Sequence, residues 1–345
     1  MAKPRHHKRK LRTGRVAVVT IAVTVAALCA VVAYNALSTC ATPCRIYIPR
    51  ASTAEAVKDT LCSNLGEGYG AAVYRLWRWQ GGEAQVAVGS YEVTASESAL
   101  RLSRRLKTGR QTPLRFTFNN VRTIGELADI VDRKLMCGKA DFIAACDSLL
   151  PAAGFSSREQ YPAAFVPDTY ELYWTASAST VVSKLLAARN AFWNDERRAQ
   201  ASSMGLTPVQ VATIASIVEE ETACSDEYGT IGRLYINRVR RGMKLQADPT
   251  VKYAVGDFGL RRITGAHLRV QSPYNTYQVA GLPPGPIRIA SPRSINAVLT
   301  AAEHSYLYMC AKEDFSGRHN FASDYATHCR NAAAYQRALD HRGIK

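Results

Sequence analysis

The run VAVVTIAVTVAALCAVVAYNAL, from Val16 to Leu37, carries no charged residue. That is close to the roughly 20 apolar residues a helix needs to cross a bilayer. Ahead of it, MAKPRHHKRKLRTGR holds Lys3, Arg5, Lys8, Arg9, Lys10, Arg12 and Arg15 and no acid. Basic flanks stay in the cytoplasm. The pattern therefore predicts a cytoplasmic tail over residues 1–15, a single transmembrane helix over 16–37, and a remainder that lies outside the cytoplasmic (inner) membrane. A cleaved signal peptide competes with this reading, but its apolar stretch is normally only about 7–15 residues. The stretch LSTC, ending at Cys40, faintly resembles a lipoprotein processing signal, with Thr39 where a small residue is usual.

Lys plus Arg number 44 against 28 Asp plus Glu, a net charge of +16. Such an excess suits nucleic acid, an anionic membrane or an acidic polymer. Part of it belongs to the topological tail, and an external location argues against nucleic acid. Outside the span the cysteines are Cys40, Cys44, Cys62, Cys137, Cys146, Cys224, Cys310 and Cys329, an even set that suits disulfides in an oxidising compartment. Cys137 with Cys146 and Cys310 with Cys329 are the expected pairs. No cysteine pair has zinc-site spacing backed by histidines, so neither metal nor cofactor is expected.

Residues 38–155 read as a membrane-proximal α+β region. CRIYIP at 44–49 alternates as a strand does, and STAEAVKDTLCSNL follows it with helical spacing and a Ser/Thr start. The alternation returns with GSYEVT before SESALRLSRRL, whose Ala99, Leu102 and Leu106 share a face. It returns again with PLRFTF, which turns Leu114, Phe116 and Phe118 inward, before TIGELADIVDRKL, opened by Thr123 and Glu126 at capping-box spacing. Ile124, Leu127, Val131 and Leu135 form its buried stripe. Pro, Gly, Ser and aromatics near 150–160 mark a boundary, so residues 156–345 form a second domain. Helices are expected over about 179–203 and 207–223, then a loop-rich region suited to a cleft.

Thr207, Pro208 and Gln210 make a strong helix start. At about 100° per residue, Val211, Ile214, Ala215, Val218 and Thr222 share a face. Glu220 then points to solvent, while Glu219 and Glu221 sit on the borders of the apolar face. A carboxyl there can be partly desolvated, which raises its pKa as a general acid requires. Alone, a glutamate triplet late in a helix is more often a solvated face than a site.

ASIVEEET (215–222), NRVRRGMKLQADPTVKYA, SPYNTYQVAGLPPGPI, the later HNF and the earlier FVPDTYELYW follow one another in an order and spacing that closely resembles the endolytic murein transglycosylases, the YceG-like or MltG family. The resemblance covers about residues 160–345 well and is looser before that, where the family has a LysM-like region. It implies an α+β YceG-like catalytic domain that cleaves between N-acetylmuramic acid and N-acetylglucosamine in nascent glycan strands, leaving 1,6-anhydro ends. It makes Glu219 the catalytic acid/base and Glu221 a recurrent acid of the motif, counted among the substrate-binding residues, that orients Glu219 or its helix; Glu220 stands where the family usually has lysine. Gln246, Asp248, Tyr274, Asn275, Thr276 and Tyr277 are implied glycan contacts, and Phe321 a cleft-lining residue. GLPPGPI is expected to fix a rigid loop, with Gly281 and Gly285 supplying unusual backbone angles. Peptidoglycan strands are the implied substrate, and penicillin-binding synthases or polymerases the implied partners. Two other readings stay open: a non-catalytic peptidoglycan-binding scaffold, and a two-carboxylate glycoside hydrolase using Glu219 with Glu221 or Asp248.

Overall fold

The computed structural model describes residues 6–260 and 262–343. The chain divides into two compact units, Met1–Leu114 with Glu171–Thr175, and Arg115–Tyr170 with Ala176–Lys345.

The first unit begins with α1 (His6–Leu37), which from Arg15 to Leu37 is long and apolar enough to cross a membrane and is exposed up to its last turn, where Asn35 is buried. Then come β1 (Cys44–Ile48), α2 (Ala54–Leu65), α3 (Glu67–Trp79), β2 (Gly89–Val93) and α4 (Ala99–Thr108). β1 and β2 pair antiparallel, with Ile46 opposite Tyr91. Ile46, Ile48, Tyr91 and Val93 pack on Leu61, Val73 and Trp77. The Thr53 side chain accepts from the Ala56 amide and so starts α2. Ala99, Leu102 and Leu106 are buried as their spacing predicts.

α3 is not evident in the sequence, because Gly68 and Gly70 weaken it as a helix by propensity. Its packing explains Gly70: a Cβ there would stand 2.5 Å from the Leu61 carbonyl oxygen of α2. The two helices approach at a distance that only glycine allows.

β3 (Leu114–Phe118) pairs with β4 (Asp168–Leu172), and the division between the units falls inside these strands. The second unit otherwise contains α5 (Ile124–Lys134), α6 (Lys139–Leu149), α7 (Ala178–Phe192), α8 (Asp195–Ser203), α9 (Pro208–Glu221), α10 (Tyr228–Arg240), α11 (Asp248–Val255), α12 (Pro292–Leu299), the antiparallel hairpin β5 (Tyr308–Ala311) and β6 (His319–Ala322), and α13 (Tyr325–His341). The proline- and glycine-containing stretch at 150–160 lies inside this unit, running through short 3₁₀ turns.

Two local expectations need correction. Thr123 caps α5, but the Glu126 carboxylate reaches back to the Arg122 amide rather than to that of Thr123. The helical pattern at 179–203 is broken in two, because the Asn194 side chain caps α8 by accepting from the Arg197 amide while Trp193 is buried at the break. The Thr207–Gln210 capping box forms in full.

α9 organises the second unit. Every residue from Val211 to Val218 is buried, with α8, α10, α11 and α12 packed around the helix. The expectation of one buried and one wet face does not hold, so the last turn emerges among protein on all sides.

All nine cysteines are free thiols, and neither expected disulfide is formed. Cys146 is buried on α6, Cys310 lies on β5, and Cys329 is exposed on α13.

Candidate active site

The three glutamates ending α9 enter three different environments. Glu219 Oε2 accepts from the Ser291 amide at 3.0 Å and from the Ser294 hydroxyl at 3.0 Å, with Arg288 Nε at 3.8 Å. It thereby clamps α9 to the start of α12, whose cap is Ser291. Replacing Glu219 by alanine should cost about 1–3 kcal/mol by orphaning these donors. Denaturant unfolding of the purified variant measures that cost.

Glu220 corrects the helical-wheel reading. Its side chain is only 19% exposed and is held by Arg288 at 2.7 Å and Arg122 at 3.1 Å. Arg288 also donates to Asn120 at 2.5 Å. With neighbours on every side of α9, the direction opposite its first apolar stripe is occupied by arginines instead of water.

Of the three glutamates, Glu221 alone lines an open cleft of about 330 Å³, together with Tyr235 and Arg238 of α10, Gln246, Asp248 and Tyr277, and Cys310 and His319 of the β5–β6 hairpin. Its Oε2 is out of water without a hydrogen-bond partner, as is the Tyr235 hydroxyl. Burial pushes the Glu221 carboxyl up to about 7, and the charge of Asp248 adds to the rise. The Tyr235 hydroxyl, Lys252 and Arg238 pull the other way without cancelling it. The carboxyl is thus half-protonated near neutral pH, the condition that suits a group that must both give and take a proton.

Part of the cleft wall is set by the loop before α11 and by the YNTY turn. Gln246 stands at φ +50°, in the left-handed region that a side chain rarely adopts. The Gln246 amide donates to the Thr276 carbonyl at 3.2 Å and the Ala247 amide to the Thr276 hydroxyl oxygen at 3.0 Å. Asp248 Oδ1 accepts from the Tyr277 hydroxyl at 2.7 Å, and burial, with this contact adding to it, raises the phenol's pKa.

The structure brings Glu221, Gln246, Asp248 and Tyr277 together around the cleft. Thr276 and Asn275 are buried behind its wall; Asn275 donates to the Leu268 and Val270 carbonyls and fastens the turn. Tyr274 packs on Tyr253, ring centroids 4.6 Å apart. Phe321 stacks on Tyr306 at 5.7 Å and contributes to the core.

Sequence reasoning missed Arg238, Tyr235, His319 and His328. Arg238 is buried and donates to the Leu307 carbonyl at 2.6 Å and the Leu245 carbonyl at 2.7 Å, joining β5's approach to the loop before α11. His319 is held by Glu227, Nδ1 to Oε2 2.8 Å. The spacing of Arg238 within NRVRRG, on the inner face of an amphipathic helix, is the one signal that could have identified it. Among the described residues, no three His, Cys, Asp or Glu side chains cluster to hold a metal ion.

Gly281 has the positive φ expected of it, +84°. Gly285 has another role: a Cβ there would lie 1.9 Å from the Glu159 carbonyl oxygen, so close backbone approach, not an unusual angle, demands the glycine.

The family model described as the YceG-like family matches residues 46–334. A Bacillus subtilis (strain 168) protein named endolytic murein transglycosylase is 40% identical over 105 residues, covering 30% of this chain and 29% of that protein. A Streptococcus pneumoniae (strain D39) protein of the same name is 28% identical over 190 residues, covering 54% of this chain and 34% of its own. The chain thus spans about a third or less of the length of these relatives. In fold it is similar to the crystal structure of a YceG-like protein from Listeria monocytogenes, with TM-score 0.52, 23% identity, and coverage of 84% of this chain and 99% of that one. A family match running from β1 into α13 makes this chain a member of the YceG-like family.

Proposed function

We propose that this chain is a single-pass membrane enzyme that cuts peptidoglycan glycan strands internally by lytic transglycosylation, with Glu221 as the general acid and base. The observation that carries the proposal is the Glu221 carboxyl, raised to about 7 in a cleft walled by polar groups. The name of the curated relatives supports the substrate class. The position of Glu221 supports giving it the role that family resemblance assigns to Glu219, whose carboxylate is engaged by Ser291 and Ser294.

In the reaction, protonated Glu221 gives its proton to the glycosidic oxygen as the bond from muramyl C1 breaks. The resulting carboxylate takes the proton of the muramyl 6-hydroxyl, whose oxygen bonds to C1 and closes the 1,6-anhydro ring. The catalyst is regenerated and no water is consumed. Intramolecular attack supplies the proximity that a hydrolase obtains by positioning water. Gln246, Asp248 and Tyr277 hold the sugar hydroxyls, and Arg238 fixes the wall between them.

The basic residues before the apolar span support an N-terminus in the cytoplasm and a catalytic unit outside it. The order β1–α2–α3–β2, two helices between paired antiparallel strands, supports the LysM-like reading of the first unit. Confinement near the membrane suits work beside penicillin-binding synthases and polymerases.

Asp248 in the same cleft favours one second reading, a hydrolase with Glu221 as acid and Asp248 as second carboxylate. Mass spectrometry of fragments from uncrosslinked peptidoglycan separates the two. Internal fragments with 1,6-anhydromuramic ends support transglycosylation, and reducing ends support hydrolysis. Binding without cleavage would make the chain a scaffold. Glu219→Gln is expected to keep cleavage within about tenfold of the parent; complete loss in a folded Glu219→Gln protein would return the acid's role to Glu219.

A further inference from the structure

The first unit carries a feature that glycan cleavage does not use. α3 begins beside the chain just past α1: the Tyr69 hydroxyl donates to the Glu97 carbonyl, which also accepts from the Cys40 amide. Farther along α3, Arg75 donates to Asn35 at 2.5 Å, within the last turn of α1. α3 therefore packs against the outer end of α1, where the span finishes. Trp79, one turn or about 6 Å beyond Arg75, is 83% exposed. Tyr34, in the last turn of α1, is 76% exposed.

α4 enters the same zone. The Ala99 amide donates to the Ser38 carbonyl, and Ser98 bridges to Thr39. Farther along, Ser103 accepts from the Gln80 side chain and Lys107 donates to the Gln80 carbonyl. Arg104, Lys107 and Arg110 form no salt bridge among the described residues. Arg105, by contrast, is neutralised by Glu97. Arg101, Arg104, Arg105 and Arg110 line one open cleft.

We propose that the end of α3 and the outer face of α4 form a docking surface for anionic phospholipid headgroups of the bilayer that holds α1. Trp79 sits at the headgroup level as interfacial tryptophans do, and Arg104 and Arg110 meet lipid phosphates. Anionic phospholipid is the occupant because the surface joins unpaired cations to an exposed aromatic beside a membrane span, matching charge to charge and an amphipathic ring to the interface. Docking pins the first unit against the membrane instead of leaving it to swing on its anchor.

The test uses the full-length chain in vesicles of phosphatidylcholine with brominated acyl chains, with and without phosphatidylglycerol, and records tryptophan quenching. Quenching is expected to be stronger with phosphatidylglycerol, to fall as salt is added, and to be largely lost in Trp79→Phe. Arg104→Glu with Arg110→Glu is expected to return it to the phosphatidylcholine level, each charge shifting the docked-to-free ratio roughly fivefold. Equal quenching in the two lipids overturns the proposal without recourse to any variant, and so does quenching that survives Trp79→Phe. Failure of the chain to float with vesicles overturns it together with the span assigned to α1, and leaves the assignment of Glu221 untouched.

Discussion

Glu221→Gln is expected to lower the rate of glycan cleavage about 10²- to 10⁴-fold, the usual contribution of a positioned general acid/base, while the protein stays folded. Glutamine matches the shape of the side chain and cannot deliver or accept the proton. In the parent, kcat/KM should fall as pH rises through about 7, because the group must enter the cycle protonated.

The same carboxyl links stability to pH. Its folded pKa of about 7 lies above its ordinary 4.5. Between those values the folded chain holds a proton that the unfolded chain has released, so stability falls as pH rises across this window. The loss approaches about 3 kcal/mol above pH 7. It is absent below 4.5, where both states are protonated. Glu221→Gln should remove this slope, so at pH 8 the inactive variant should resist urea better than the parent. Parallel unfolding curves for parent and variant from pH 5 to 8 would show that the carboxyl is not desolvated, and the role assigned to it would lose its basis.

Gly285→Ala is expected to be the most damaging single-methyl change in the second unit. The added Cβ meets the Glu159 carbonyl oxygen at 1.9 Å, with the next contacts also backbone atoms, so no flexible side chain can yield. Overpacking normally costs 1–3 kcal/mol; with two main-chain segments forced apart the loss should be about 3 kcal/mol or more. Because residues 287–291 bond to α9 through Ser216 and Glu219, the displacement also loosens the helix that carries Glu221. Thermal melting checks the stability. Gly281→Ala is the control: its Cβ would meet nothing within 4 Å, and only its positive φ resists the change.

Local signals in the sequence were legible where a few neighbouring residues decide the outcome. The caps at Thr53, Thr123 and Thr207 and the stripe of α4 are of this kind. Readings failed where a distant segment decides. α3 is helical despite two glycines because α2 needs the closeness of Gly70. Glu220 is dry because arginines from two separate loops close over it. The cleft was half legible: Gln246, Asp248 and Tyr277 lie in recognisable motifs, whereas Tyr235, Arg238 and His319 acquire their place only when α10 and the β5–β6 hairpin fold against α9. Motif order pointed to the end of α9, and burial distinguishes the three carboxyls there.

The enclosure of α9 has a consequence for how the chain tolerates change. A helix on the surface of a domain forgives substitution on its outer side, so saturation mutagenesis scored by function shows a band of sensitivity at every third or fourth position. From Val211 to Val218 no outer side exists. A library covering codons 211–221 should yield one unbroken block of intolerance from Val211 to Val218, with Glu219 and Glu220 beyond it sensitive only to loss of their clamps and Glu221 sensitive through the proton transfer proposed for it.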